Sequence, residues 1–535
     1  MELVQNPYIL AIVVYLLALI GVGYYKSRIV KTGDDFMVAG RALPWYILVG
    51  TLLATWIGNG SLFAGAGLGY RNGLAGLWSS AGAWLGIVVV YFIARRIRNF
   101  GQVTVPDIFE ARYGKVAGLL ATVTTVIAYV TIVSYQFRGG GRILSLVTEG
   151  GLTVETGIII TAVFAVLYTV LAGMLSVVYT DVVNGVVMII GVLGALFFLV
   201  PTLGGLDVIV SAAEAAGKWE LFGNWEQESL GPDGDPIASG PLIAISFFIP
   251  TMLLLMGDGN TYQRIFSAEN GGQAQKAVFF WIVGVVVLET AISFLGLTGS
   301  VAYDQGVITS LGLEGRTATE NIIPAAATQA LPVVLGMLLV ATMMAIVIST
   351  ADSFLLVPAT NLTRDVMQRY LTPNLAESTV VLVNRLWVIV LGLVAYMLVE
   401  AFPTILDAAY TAYLIYGAGL TPALVAAFVW KRATWQGALT SIVLGAMVTI
   451  IWTFYLSEQD FYATWHPFLQ EVTFPAVAAS LGGLVIVSLL TPKPADTVWA
   501  PFFIDEDVPE VEVEDLIEKR REGGEAVITP ADAKE

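Results

Sequence analysis

The chain is 535 residues long, 57% hydrophobic and only 13% charged, with a formal net charge of −16. So apolar a composition excludes a water-soluble globular protein of this size, and the negative balance disfavours nucleic acid as a partner. No cysteine and a single histidine, His466, exclude disulfides, thiolate chemistry and a multi-histidine metal site.

A membrane-spanning helix needs about 20 mostly apolar residues to cross ~30 Å of hydrocarbon. In chain order the sequence predicts thirteen, near 8–25, 45–70, 76–96, 116–137, 157–175, 178–201, 241–262, 275–302, 331–360, 379–402, 406–430, 436–456 and 474–491. The first has no basic residue before it and no small-residue cleavage pattern after it, so no cleavable signal peptide is expected. Cytoplasmic loops retain lysine and arginine, which orients the set. With the N-terminus outside, Lys26, Arg28, Lys31, Arg41, Arg95, Arg96, Arg98, Arg112, Lys115, Arg264, Lys276, Arg364, Arg369, Arg385, Lys431, Arg432 and Lys493 fall inside. Only Arg71, Arg138, Arg142, Lys218 and Arg316 then fall outside. The expectation is an all-α polytopic protein of the cell membrane, N-out and C-in. Acidic residues gather in the connection 207–235 and in the tail 505–535. Residues 494–535 are expected to lack a packed fold apart from a short helix near 512–522.

Two helices break the rule of apolarity. The second carries Gly58-Asn59-Gly60 in mid-span, and the seventh carries Gly257-Asp258-Gly259-Asn260 toward its cytoplasmic end. Glycines flanking polar residues favour local unwinding, which is tolerated at membrane depth only where protein or a cavity satisfies the backbone. The breaks lie five helices apart, an odd number, so the two broken helices cross the membrane in opposite directions. That predicts two five-helix inverted repeats, 45–201 and 241–430, each opening on a broken helix. Residues 1–44 then form an extra helix and cytoplasmic loop, 202–240 an extracellular loop, 431–491 two peripheral helices and 492–535 an acidic cytoplasmic tail. A simpler reading, close helix packing at each glycine pair, stays open.

Other polar residues interrupt the spans. In Ser349-Thr350-Ala351-Asp352-Ser353, positions 349, 350 and 353 share one helix face. Their hydroxyls, joined by an unwound carbonyl, suit a hard monovalent cation; back-bonding to the preceding turn is the plainer alternative. Asp352, a carboxylate at membrane depth, calls for a partner or a pathway role. Asp181, at the start of the sixth helix, is either an N-cap or a ligand. Glu289 in the eighth helix is expected to be buried, with no partner evident.

Certain segments carry a resemblance. They are Ala54-Thr55-Trp56-Ile57-Gly58, Thr104-Val105-Pro106-Asp107 with Arg112-Tyr113-Gly114, Gly173-Met174-Leu175-Ser176-Val177-Val178-Tyr179-Thr180-Asp181, Tyr262-Gln263-Arg264, and Ser349-Thr350-Ala351-Asp352-Ser353. In this order, over roughly residues 5–490, the chain resembles the sodium:solute symporter family. The resemblance implies a LeuT-type core of five-plus-five inverted repeats, with one extra helix before it and two after. It implies a main sodium site from the carbonyls of Ala54, Ile57 and Ile346 and the hydroxyls of Ser349 and Thr350. Some members of the family share a second sodium site, which in this sequence would take Asp181, Ser349, Asp352 and Ser353; coupling to a single sodium stays open as the alternative. The solute would lie at the helix breaks, touching Trp56, Asn59, Ser61, Tyr135, Gln136, Asp258 and Asn260. Trp56 and the run ending at Asp181 are similar to choline carriers, whose aromatic faces hold a quaternary ammonium, but Asp258 stands where those carriers have tryptophan.

The function so implied is sodium-coupled symport of a small polar organic solute into the cell by alternating access. Its partners are sodium, the solute and the lipid bilayer, with no obligate protein partner evident. Neither a nucleotide-binding loop nor a catalytic constellation is visible, so an enzyme or pump is not expected. A proton-coupled symporter using Asp181 or Asp352, a channel and a solute sensor stay open as alternatives.

Overall fold

Apolar stretches without access to water close their backbone hydrogen bonds within helices, and the described spanning stretches do so except at the breaks near Ile57 and Asp258. The computed structural model describes residues 5–27, 37–171, 173–223, 225, 228, 240–372 and 375–505. Among them, 11 helical stretches are long and apolar enough to cross a membrane, accompanied by the shorter apolar helices Pro7–Val22 and Trp45–Trp56. The expected helix at 512–522, and Arg28 and Lys31, lie outside the described residues.

Helix α1 (Pro7–Ser27) precedes a helix broken into α2 (Trp45–Trp56) and α3 (Ala66–Asn72), with a wider helical turn, Gly60–Gly65, between them. There follow α4 (Leu77–Phe100), the short α5 (Val105–Tyr113), α6 (Lys115–Val147), α7 (Val154–Leu171) and α8 (Met174–Thr202). Helix α9 (Leu206–Ala215) lies in the long connection. The second half opens on another broken helix, α10 (Gly240–Gly257) and α11 (Gly259–Phe266). It continues through α12 (Gly271–Asp304), the short α13 (Ile322–Gln329), α14 (Val333–Asn361), α15 (Glu377–Met397) and α16 (Ile405–Val429). Helices α17 (Trp435–Ile451) and α18 (Thr473–Leu490) pack on each other at the periphery.

The packing repeats itself between the halves. Helix α4 packs on α10 of the second broken helix, and its counterpart α12 packs on both parts of the first. Helix α6 packs on α16 and its counterpart α14 packs on α8, while α6 and α14 also meet each other. Each contact thus has a partner obtained by exchanging the halves, as an inverted repeat requires. The most apolar window of α16 is 89% buried inside the protein and that of α17 only 22%, so α16 belongs to the central bundle and α17 faces outward. At the far ends of the two half-helices, away from the breaks, Leu43 N–H donates to the Ser267 carbonyl (3.0 Å) and Glu269 N–H to the Leu43 carbonyl (3.1 Å). This bridge joins the segment entering the first broken helix to the segment leaving the second.

Two expectations change. The sixth expected helix starts at Met174, not near 178, because Gly173 takes φ 121, a conformation open to glycine. Asp181 therefore sits about two turns inside α8 and is no N-cap. The tail is also packed as far as Asp505. Phe502 is buried and stacks on Phe100 with ring centroids 4.2 Å apart, and Asp505 pairs with Arg96 at 2.6 Å. An unpacked tail from 494 onward was expected on charge and proline content, but the aromatic pair beside Pro501 supplies enough apolar surface to dock it.

Outside the spans, Thr104 and Asp107 form a capping box on α5, with Asp107 N–H donating to Thr104 Oγ1 at 3.1 Å. The same carboxylate receives Arg364 Nε at 3.0 Å and Arg369 Nη2 at 2.7 Å, and Arg369 Nη1 reaches Glu110 at 2.7 Å. Burial would raise the Asp107 carboxyl, but Arg364 and Arg369 hold it well below the usual carboxylate range. Its folded pKa is depressed, so its stabilisation is present above the unfolded value near ~3.9 and fades as the pH falls toward the folded one. Replacing Asp107 by Asn should destabilise the protein by about 3 kcal/mol, since two arginines lose a buried partner. The thermal midpoint in detergent should drop at neutral pH, and the gap between variant and wild type should narrow only below about pH 4.

Candidate functional site

The break in the first broken helix begins at Ile57, whose ψ of 98 leaves the helical range. Asn59 N–H, instead of closing a helical bond to the Thr55 carbonyl, donates to Gln136 Oε1 of α6 at 3.1 Å. The Asn59 side chain donates to the carbonyls of Tyr135 (3.2 Å) and Gln136 (3.0 Å), and the helix resumes as Ser61 and Leu62 N–H turn to the Gly58 carbonyl. Asn59, Tyr135 and Gln136 thus brace the break. All three are buried.

Helix α14 lies against the same break. Thr350 Oγ1 approaches the Ile57 carbonyl at 3.5 Å, and a Cβ at Gly58 would lie 3.0 Å from Thr350 Oγ1, so glycine permits the approach. Ala54 and Ile346 are buried about one turn before these positions on the same two helices. Ser349, the next residue on α14, donates to Asp181 Oδ1.

Asp181 leads to a residue to which the sequence assigned no role in the site. Arg264 of α11, 1% exposed, donates from Nη2 to Asp181 Oδ2 (3.0 Å) and Ser353 Oγ (2.8 Å), and from Nε to Thr51 Oγ1 (2.8 Å). Thr51 Oγ1 in turn donates to Asp181 Oδ2 at 2.6 Å. Asp181, Ser349 and Ser353, three of the four expected second-site residues, therefore gather around a guanidinium. The fourth, Asp352, is fully buried, and both its oxygens lack a hydrogen-bond partner. The signal for Arg264 was an arginine close behind a glycine break in a spanning segment, where a charge demands a buried partner.

The second break is capped by its own aspartate. Asp258 Oδ2 accepts from Thr261 N–H (2.8 Å) and Oγ1 (2.9 Å), and Oδ1 accepts from Tyr129 O–H (2.5 Å). Neighbouring Asn260 is fully buried, and neither amide atom of its side chain has a partner.

A separate pocket opens beside the first break, lined by Trp56, Ser61, Ser79, Glu289, Tyr410 and Tyr413 among others. Of the expected solute contacts, Trp56 and Ser61 line it. Tyr135 lies just behind, its hydroxyl 3.5 Å from that of Tyr413, while Asn59, Gln136, Asp258 and Asn260 do not line it. Glu289 now has partners: Trp56 Nε1 donates to Oε1 at 2.7 Å and Ser61 Oγ at 3.2 Å. These contacts span more than two hundred positions of chain, and no local pattern announces them.

The family model for the sodium:solute symporter family matches residues 36–445. The chain belongs to this family. It is therefore a sodium-coupled symporter, not an enzyme, and its many apolar helices fit the cell membrane. Similar proteins include the osmoregulated proline transporter OpuE of Bacillus subtilis (strain 168), 26% identical over 93% of this chain and 98% of the relative. The sodium/pantothenate symporter of Escherichia coli (strain K12) is 26% identical over 89% of this chain and 96% of its own. Among solved structures, a Na+-coupled sialic acid symporter in a substrate-bound outward-open state superposes with a TM-score of 0.73 at 18% identity, covering 91% of this chain and 98% of that one. The likeness establishes the fold, which is LeuT-type.

In this symporter the Asp181–Arg264 pair is wholly enclosed, so removing one member strands the other. Arg264→Gln should lower stability by about 3–5 kcal/mol. Asp181→Asn in the same chain should return much of that loss, because the two sites share one interaction. Thermal unfolding of the single and double variants in detergent reads both.

Proposed function

We propose that one sodium ion binds where the first broken helix meets α14, held by the carbonyls of Ala54, Ile57 and Ile346 and the hydroxyls of Ser349 and Thr350. The ion drives inward transport of a small polar organic solute. The observation that carries this reading is the approach of Thr350 Oγ1 to the Ile57 carbonyl at the glycine break. It sets a freed backbone oxygen of one half of the molecule against a hydroxyl of the other, and unwound carbonyls of this kind coordinate sodium.

The two halves, 45–201 and 241–430, then move relative to each other about this contact. Sodium entering from outside ties α2 to α14 and favours the outward-open form that receives the solute. Loss of sodium to the cell interior loosens the tie and releases the solute inward. The gradient acts only through different affinities of the two states. With the N-terminus outside and the C-terminus inside, as the distribution of lysine and arginine favours, the Leu43–Ala268 bridge and the Asp107 cluster lie on the cytoplasmic side and close the path inward. The relatives named for proline and pantothenate support an organic solute. Arg264 supplies Asp181 with a fixed cation, which favours one sodium per cycle over two.

Tryptophan fluorescence of the purified protein should respond saturably to sodium and not to potassium. Ser349→Ala and Thr350→Ala should each weaken the response roughly tenfold or more, the loss of about 1.5–3 kcal/mol expected for an interaction with a charged group. Absence of a sodium-specific signal in both fluorescence and calorimetry would overturn the site and turn attention to proton coupling.

A further inference from the structure

Glu289 of α12 is 4% exposed and lies in a spanning helix, where an uncompensated carboxylate is costly. Two donors reach one of its oxygens, Trp56 Nε1 and Ser61 Oγ. The other, Oε2, is buried without a hydrogen-bond partner. Trp84 and Ser80 also turn their donors toward the same carboxyl, so every neighbour that meets it is an uncharged donor. None of the described residues lining the pocket is a lysine or arginine. The contrast with Asp181, satisfied by Arg264 and three hydroxyls, is direct.

The rest of the wall combines aromatic and hydroxyl side chains with Gly60, Ala64, Gly65, Leu406 and Ala409. The rings of Trp56 and Tyr413 lie with centroids 6.2 Å apart, and those of Tyr413 and Tyr410 5.6 Å apart. Tyr410 O–H donates to Ser79, which lines the pocket together with Ser80 and Thr251. A buried carboxylate met only by uncharged donors, beside three electron-rich rings and with no lysine or arginine among the described lining residues, is complementary to a positively charged nitrogen. An anionic solute would meet Glu289 with like charge at short range and low polarity. A neutral polyol would leave the carboxylate charge uncompensated.

We propose that the solute carries a cationic nitrogen, a quaternary ammonium or a protonated amine, and that this nitrogen binds between Glu289 and the rings of Trp56, Tyr410 and Tyr413. The proposal rests on the symport reading above and names the chemical class of its solute. Asp258, which the sequence offered as the acidic contact, is already occupied by Tyr129 and Thr261, and Glu289 takes its place.

The test uses the purified full-length protein in sodium buffer. Thermal stabilisation is measured with choline, glycine betaine, L-proline, D-glucose and pantothenate, for wild type and Glu289→Gln. At least one of the three cationic-nitrogen probes should stabilise wild type, glucose and pantothenate should not, and Glu289→Gln should weaken the active probe tenfold or more. Glutamine preserves the shape and can still accept from Trp56 and Ser61, so a merely structural carboxyl would leave the affinity unchanged, which would overturn the proposal. Stabilisation by glucose or pantothenate would overturn it too, as would silence toward all three cationic-nitrogen probes while calorimetry still detects sodium. Loss of sodium binding in wild type would instead overturn the symport reading.

Discussion

A helix that stops being helical inside a bilayer has to hand its backbone groups to another part of the protein. At Ile57–Gly60 that demand falls on Asn59 and Gln136: the backbone amide freed by the break is taken by Gln136 Oε1, and the Asn59 side chain grips two carbonyls of α6. Everything around the site depends on this brace. It fixes the break against α6 and leaves the Ile57 carbonyl turned to Thr350 on α14. The second break uses a different device, since Asp258 caps the new helix start and Tyr129 secures both Asp258 and Gly259 N–H.

Buried charge follows the same logic at higher stakes. Asp181, Asp258, Glu289 and Asp352 lie buried inside spanning segments, and their surroundings separate their uses. Asp181 is matched by Arg264 and hydroxyls, a closed network that joins α2, α8, α11 and α14. Asp258 is spent on capping. Glu289 is half satisfied at the edge of a pocket, and Asp352 has no hydrogen-bond partner within a fully buried stretch of α14. A fully satisfied network rigidifies, whereas a partly satisfied one leaves buried polar groups at a free-energy cost.

The molecule thus combines a tie between its halves with a lock at one end. Near the centre, α2 and α14 meet where the Thr350 hydroxyl faces the freed Ile57 carbonyl. On the side rich in arginine and lysine, the Leu43–Ala268 bridge and the Asp107–Arg364–Arg369 cluster join elements from both halves. Alternating access requires the second set to open while the first loosens. Both sets of contacts join one inverted repeat to the other, so a shift between the repeats acts on both.

Hydrophobicity by itself determined the class, because so many long apolar stretches have no stable home but a bilayer, and among the described residues 11 helical stretches are long and apolar enough to span. The two glycine-flanked breaks and the serine-rich turn of α14 were also legible, since each violates the apolar rule locally, within a few residues. What only the tertiary structure decided was partnership. Arg264 finds Asp181 across 83 positions and Glu289 finds Trp56 across 233, and no periodicity encodes such distances. The packed tail at Phe502 escaped for the same reason, as its partner Phe100 lies on α4. Local sequence reports where a charge or a break will be costly; only the folded neighbours decide whether that cost is met by the protein or left for a ligand.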